Sequence, residues 1–138
     1  MKRLLPLALL LLAMPLVASP TNSLFAKYEN IRQGLLKSSL KDVQKNAKQL
    51  AAAATEAKNE EVAKAAETVA GSADLDKARE SFGALSDEMI KLRNAETGER
   101  PGIAYCPMAK KSWLQSTKVA IANPYEPAMK ECGMWKAK

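Results

Sequence analysis

The sequence predicts an all-α fold: an antiparallel four-helix bundle with an irregular C-terminal tail of short strand and turn elements packed on it. Three observations lead there. From Asn22 to about Asn94, apolar residues recur at helical spacing in four separate runs. Short capping or breaking sequences divide the runs. After Pro101 the periodicity stops, and the composition turns to proline, methionine and aromatics. One domain is expected, divided into an export signal over 1–19, the bundle over 20–96 and a Cys/Met-rich tail over 97–138.

The first helix carries Leu24, Tyr28, Ile31 and Leu35 on one face, and Gly34 with Ser38-Ser39 closes it. Ser39 is suited to cap the second helix, with Asp42 three residues on in a weak capping-box pattern. That helix aligns Leu40, Val43, Ala47, Leu50 and Ala54, and its alanine-rich end combines high helix propensity with room for close helix approach. Asn59 followed by Glu60 and Glu61 starts the third, because carboxylates favour the positive end of a helix dipole. Val62, Ala66 and Val69 face inward, and Gly71-Ser72 ends the run. Asp74 caps the fourth, whose Leu75, Ala78, Phe82, Leu85, Met89 and Leu92 form the clearest stripe. Such stripes are buried most simply in an antiparallel bundle. Met89 belongs to that core, and Glu56, Glu60, Glu61 and Glu67 fall on polar faces.

In the tail, "SWLQST" alternates large and polar residues as a short strand would, and "NPYEP" is a turn. "PAMKECG" fits one or two helical turns, with Pro127 in the first turn and Gly133 past the end. The tail is expected to pack on the bundle through Tyr105, Trp113, Ile121 and Tyr125.

Lys2 and Arg3 precede an apolar run from Leu4 to Val17 and the small residues Ala18 and Ser19, the pattern of a secretory signal peptide cleaved after one of those two. The run is shorter than the ~20 apolar residues a membrane span needs. The expected location is periplasmic or secreted, with no membrane span in the mature chain. Removing Lys2 and Arg3 takes the formal charge from +6 to +4. Basic residues are dispersed and not interleaved with aromatics, which argues against nucleic acid. The chain has no histidine, so it lacks the usual general base, the Ser-His and Cys-His pairs and the commonest zinc ligand. No catalytic constellation is visible, and a binding protein is expected, not an enzyme.

Chemistry concentrates between Tyr105 and Trp135, which hold both cysteines, both tryptophans and two Cys-x-Met units, Cys106-Pro107-Met108 and Cys132-Gly133-Met134. Thiolate and thioether sulfurs are soft donors suited to Cu(I) or Ag(I). Cys106, Met108, Met129, Cys132 and Met134 are therefore candidate metal ligands, with Cu(I) the candidate cargo. Met129 and Cys132 would share a face of a helical turn, and Trp135 could cover a bound cation with its ring. The alternative is a disulfide between Cys106 and Cys132, which export would favour. Closing a loop of about 27 residues would add ~3.5 kcal/mol in the chain-entropy account.

The tail also resembles a known pattern. Tyr105-Cys106-Pro107-Met108-Ala109, Trp113-Leu114, Asn123-Pro124-Tyr125, Met129 and Cys132-Gly133 are similar to the signature of an uncharacterised family of exported bacterial domains. Upstream, Ala78 to Leu92 resembles that family's last bundle helix, with Arg79, Phe82, Leu85 and Ser86 in the matching places. The resemblance runs from about Leu24 to Met134. The family also occurs at the C-terminus of CusB-type copper/silver efflux adaptors, so the resemblance implies soft-metal handling, heavy-metal resistance and an envelope partner such as an efflux adaptor. Cys106, Met108, Met129 and Cys132 fall on its motif positions. The spacer between Ala109 and Trp113 is shorter than in relatives, and Glu126-Pro127 stands where they tend to carry an aromatic and a glycine.

Overall fold

The computed structural model describes residues 19–138; the expected export signal lies outside the described residues except for Ser19. Four helices form where the apolar runs end and begin: α1 (Pro20–Leu36), α2 (Leu40–Glu56), α3 (Glu60–Ala70) and α4 (Leu75–Ala95). Side chains at the boundaries explain their positions. Ser19, Ser39, Asn59 and Asp74 each accept the backbone N–H three residues on, satisfying one of the orphan donors of the first turn. Ser38 and Lys58, with φ of 53° and 58°, take the left-handed conformation that ends α1 and α2. The following N–H groups then return to the last-turn carbonyls, Ser39 to Gly34 and Asn59 to Ala54 (3.0 and 2.9 Å).

Leu24, Tyr28, Ile31 and Leu35 of α1 are buried against Val43, Ala47, Leu50 and Ala54 of α2 and the Phe82–Leu85–Met89 stripe of α4. Glycine lets α1 and α2 approach closely: a Cβ at Gly34 would stand 3.0 Å from Val43 Cγ2. Met89 is fully buried, in accord with a core role. Among the described residues no helix is long and apolar enough to cross a membrane.

The fold is not all-α. The tail forms a three-stranded antiparallel sheet of β1 (Gly102–Cys106), β2 (Lys111–Gln115) and β3 (Met134–Ala137), ordered β2-β1-β3 and packed on the helices. Only β2 coincides with a strand expected from the sequence. β1 escapes pattern reading because four of its five residues are buried, so the polar/apolar alternation of a half-exposed strand is missing. β3 has four residues and no buried ones, too short to register by periodicity. Residues 126–132 make hydrogen-bonded turns, not the expected helical turns. Asn123 ties the segment back on the preceding turn, its N–H donating to the Lys130 carbonyl (2.6 Å) and its side-chain amide to the Cys132 carbonyl (2.8 Å), which takes these groups out of helical hydrogen bonding. As expected, Trp113 and Tyr125 are buried against the bundle, while Tyr105 and Ile121 are half-buried.

Burying β2's outer edge against helices requires partners for its backbone groups. They come from a line of hydroxyls. Leu114 N–H meets Tyr28 Oη (3.1 Å), Tyr28 Oη meets Ser86 Oγ (2.7 Å), Ser86 Oγ meets Tyr125 Oη (3.0 Å), and Tyr125 Oη meets the Ser112 carbonyl (2.7 Å). An amide can only donate and a carbonyl only accept, so one proton per hydroxyl satisfies all four contacts in a single direction. Tyr28 donates to Ser86, and Ser86 donates to Tyr125. Burial pushes both phenols well above their ordinary pKa, so the line stays neutral.

A second polar junction fixes the loop after β2. Gln115 Oε1 accepts from the Trp113 indole (2.9 Å) and from Ala122 N–H (3.0 Å), and Gln115 Nε2 donates to the Ala120 carbonyl (2.9 Å). Arg32, buried in α1, donates to the Ala122 carbonyl and forms a bidentate pair with Glu29 (both 2.8 Å). Ser86→Ala would leave two buried phenols short of a partner at the centre of the line. Urea unfolding should show a loss of about 1–3 kcal/mol, and a loss below ~0.5 kcal/mol would mean the line does not hold the sheet to the bundle.

Candidate functional site

The sheet brings the two cysteines together across the tail. Tyr105 pairs with Met134, so continuing the antiparallel register by one step sets Cys106 opposite Gly133, with Cys132 next. Gly133 is required there: a Cβ would stand 2.7 Å from Trp113 Cη2 and 3.1 Å from Ile121 Cγ2. The chain entering β3 therefore lies directly on the Trp113 ring, which meets Tyr125 edge-on at a centroid distance of 6.0 Å. Buried Asn123 holds this approach in place. Its side-chain amide donates to the Cys132 carbonyl (2.8 Å), its Oδ1 accepts Tyr125 N–H (2.8 Å), and its own N–H donates to the Lys130 carbonyl (2.6 Å).

Both cysteines are free thiols, with no disulfide between them. Cys106 is fully buried at the end of β1, and Ala109 N–H donates to its sulfur (3.3 Å) across the turn to β2. Cys132 is half-buried and lies against the Cys106 thiol. Partial desolvation raises the Cys132 pKa first, and the Cys106 thiol and Glu126 carboxylate raise it further. The resting pair is thus disposed to keep its Cys132 proton.

The candidate thioethers divide by position. Met108, in the β1–β2 turn just after Cys106, is 62% exposed, and Met129 is 38% exposed. Met129 is tied to Cys132 by the bond from Cys132 N–H to the Met129 carbonyl (3.0 Å). Met134 is 54% exposed, but as the cross-strand partner of Tyr105 it stands on the sheet face opposite that of Cys106. Trp135 is also distant: its ring packs toward Gly102, at the other end of β1 from Cys106. Among the described residues no group of three or more His, Cys, Asp or Glu side chains is placed to hold a metal ion. Sulfur chemistry is what this arrangement offers.

Sequence reasoning missed the supporting polar residues. Arg32, Gln115 and Asn123 look like ordinary surface residues in the one-dimensional pattern, yet each is buried and hydrogen-bonded to the loop that carries Cys132 or its approach. The one available signal was the "NPY" turn, where an asparagine side chain binds the backbone two residues on.

A family profile described as a protein of unknown function, DUF3347, matches residues 24–99. The chain belongs to the DUF3347 family. The matched segment of DUF3347 begins within α1, covers the rest of the helices and stops before β1, so the paired thiols lie outside it. No curated protein and no solved structure matches the chain.

Iodoacetamide should modify half-exposed Cys132 well before buried Cys106. The Cys132 rate should still be rising above pH 9, the ordinary thiol value from which its pKa is raised. A rate that levels off below pH 8.5 would contradict the environment described for this thiol.

Proposed function

We propose that this chain binds a soft monovalent cation, Cu(I) or Ag(I), through Cys106 and Cys132 and buffers it or passes it to an efflux system. The observation that carries the reading is the convergence of two free thiols, 26 positions apart in sequence, at one point of the sheet. Two thiolates suit the low coordination numbers that soft cations accept. A thioether from Met108 or Met129 can complete a three-sulfur set, since both lie in turns adjoining the thiols. The face occupied by Met134 argues for a lesser role for that sulfur. Cys106 provides a buried, amide-supported anchor, and Cys132 provides the more accessible side from which a cation enters or leaves.

Resemblance of the tail to domains fused to CusB-type adaptors supports an envelope location and an efflux adaptor as the receiving partner. The absence of histidine and of any paired carboxylate constellation in the sequence supports a binding protein over an enzyme. The competing reading is an interaction module whose two thiols close to a disulfide that staples the tail. Proximity of the same two sulfurs favours it, and thiol counting separates the two.

Binding must displace the thiol protons, so affinity should rise with pH by about tenfold per unit for each proton released, for as long as pH is below the pKa of that thiol. The test is an anaerobic Cu(I) titration of the reduced full-length chain against a competing chelator. One equivalent should bind, and Cys106→Ser or Cys132→Ser should abolish competition. Met129→Leu, nearly neutral in volume, should weaken binding with an unchanged unfolding midpoint, and Met134→Leu should have the smaller effect. No competition by the reduced chain, or full competition by either serine variant, would overturn the proposal. Zero free thiols in the purified protein, together with lower stability on reduction, would favour the staple.

A further inference from the structure

A second concave site lies away from the thiols. Between α1 and the end of β2 there is a groove of about 500 Å³, within the usual range for small-molecule sites. Phe25 and Ala26 of α1 line it together with Pro101 and Val119, and Arg100 is among the charged residues that line it. Val119 is 54% exposed; the other large apolar side chains left exposed among the described residues are Met108, Met129 and Met134 of the sulfur tail.

The charges around the groove are unevenly matched. Glu29 is occupied by Arg32, and Glu99 by Lys118. Arg100 forms no ion pair among the described residues. One of its terminal nitrogens, Nη1, caps the end of α4 through the Arg93 and Glu96 carbonyls (3.2 and 2.6 Å), and this holds the guanidinium in place. Nearby, Arg93 donates to the Pro101 carbonyl (2.9 Å) and is 4% exposed; among the described residues it has no carboxylate partner, and its Nη2 has no hydrogen bond. Burial, with the Arg100 charge beside it, pulls the Arg93 guanidinium below its ordinary pKa. This end of the fold therefore holds two neighbouring guanidinium groups, neither of them in an ion pair among the described residues, while the nearby Glu96 carboxylate accepts from the Thr21 hydroxyl (2.8 Å).

We propose that the groove binds a small amphipathic monocarboxylate, its apolar body between Phe25 and Val119 and its carboxylate on Arg100. Arginine presents a planar fork that matches a carboxylate, and the apolar walls exclude water from the rest of the ligand. The chemistry is common to a medium-length acyl chain and to the apolar C-terminal residue of a peptide.

The test is calorimetry and amide NMR on the full-length chain with decanoate and, in parallel, an N-acetylated leucyl-leucine dipeptide with a free carboxylate; the arm that binds identifies the source. At least one should bind with Kd below about 1 mM and shift the resonances of Phe25, Ala26 and Val119. Decanol or the dipeptide amide should bind at least tenfold more weakly. Arg100→Gln should lose at least tenfold, and Cys132→Ser should lose nothing, which keeps this result independent of metal binding. The proposal is overturned by no binding in either arm, equal binding of the neutral analogues, unchanged affinity in Arg100→Gln, or shifts confined to other surfaces.

Discussion

A strand edge pressed into a helical bundle brings with it amides and carbonyls that apolar side chains cannot satisfy. Here the line from Leu114 N–H through Tyr28, Ser86 and Tyr125 to the Ser112 carbonyl supplies the missing partners. Each orphaned group would otherwise cost about 1–3 kcal/mol. The arrangement draws one residue from α1, one from α4 and one from the loop beyond β2, so it closes only when all three have docked. Tyr28 stacks on Phe82 at 4.9 Å, and Phe82 contacts Tyr125 at 5.9 Å, so the same aromatics supply apolar packing alongside the polar continuity. Everything downstream depends on this anchoring: β2 positions β1, β1 positions Cys106 and β3, and β3 positions Cys132.

The helical half was legible because its information is local. Caps at Ser39, Asn59 and Asp74 and stripes such as Leu75–Ala78–Phe82–Leu85–Met89 act within a turn or two, and the observed helices begin where those residues require. The sheet was not legible because its information is distant. β1 is short and buried on most positions, β3 is held by pairing with β1, and the register that joins Tyr105 to Met134 spans the whole tail. An all-α expectation followed from reading the strongest periodicity and treating the remainder as irregular.

For the candidate site, residue types were readable but their grouping was not. The sequence marked Cys106, Met108, Met129, Cys132 and Met134 as soft donors, and the family resemblance set Met134 apart from the other four, but a bundle with a loose tail gave no grouping in space. Strand alternation ranks them: the thiols meet, Met129 is joined to Cys132 through a turn, and Met134 stands with Tyr105 on the other face. Arg32 carries no pattern that separates a buried scaffold residue from a surface one, and for Asn123 the "NPY" turn is the only such signal. Their importance comes from partners far away in sequence, Ala122 for the first and Cys132 for the second.

The strand order β2-β1-β3 has a consequence for assembly. The hairpin of β1 and β2 joins neighbours in sequence and closes through a four-residue turn, whereas β3 must return across the loop that follows β2 before it finds β1. Loop-closure entropy makes such a distant pairing the slower event. The two thiols therefore exist as a pair only in molecules whose last strand has docked, and unravelling of that strand would separate them. Any ligand held between Cys106 and Cys132 would act on this closing step, reporting and reinforcing the completion of the fold.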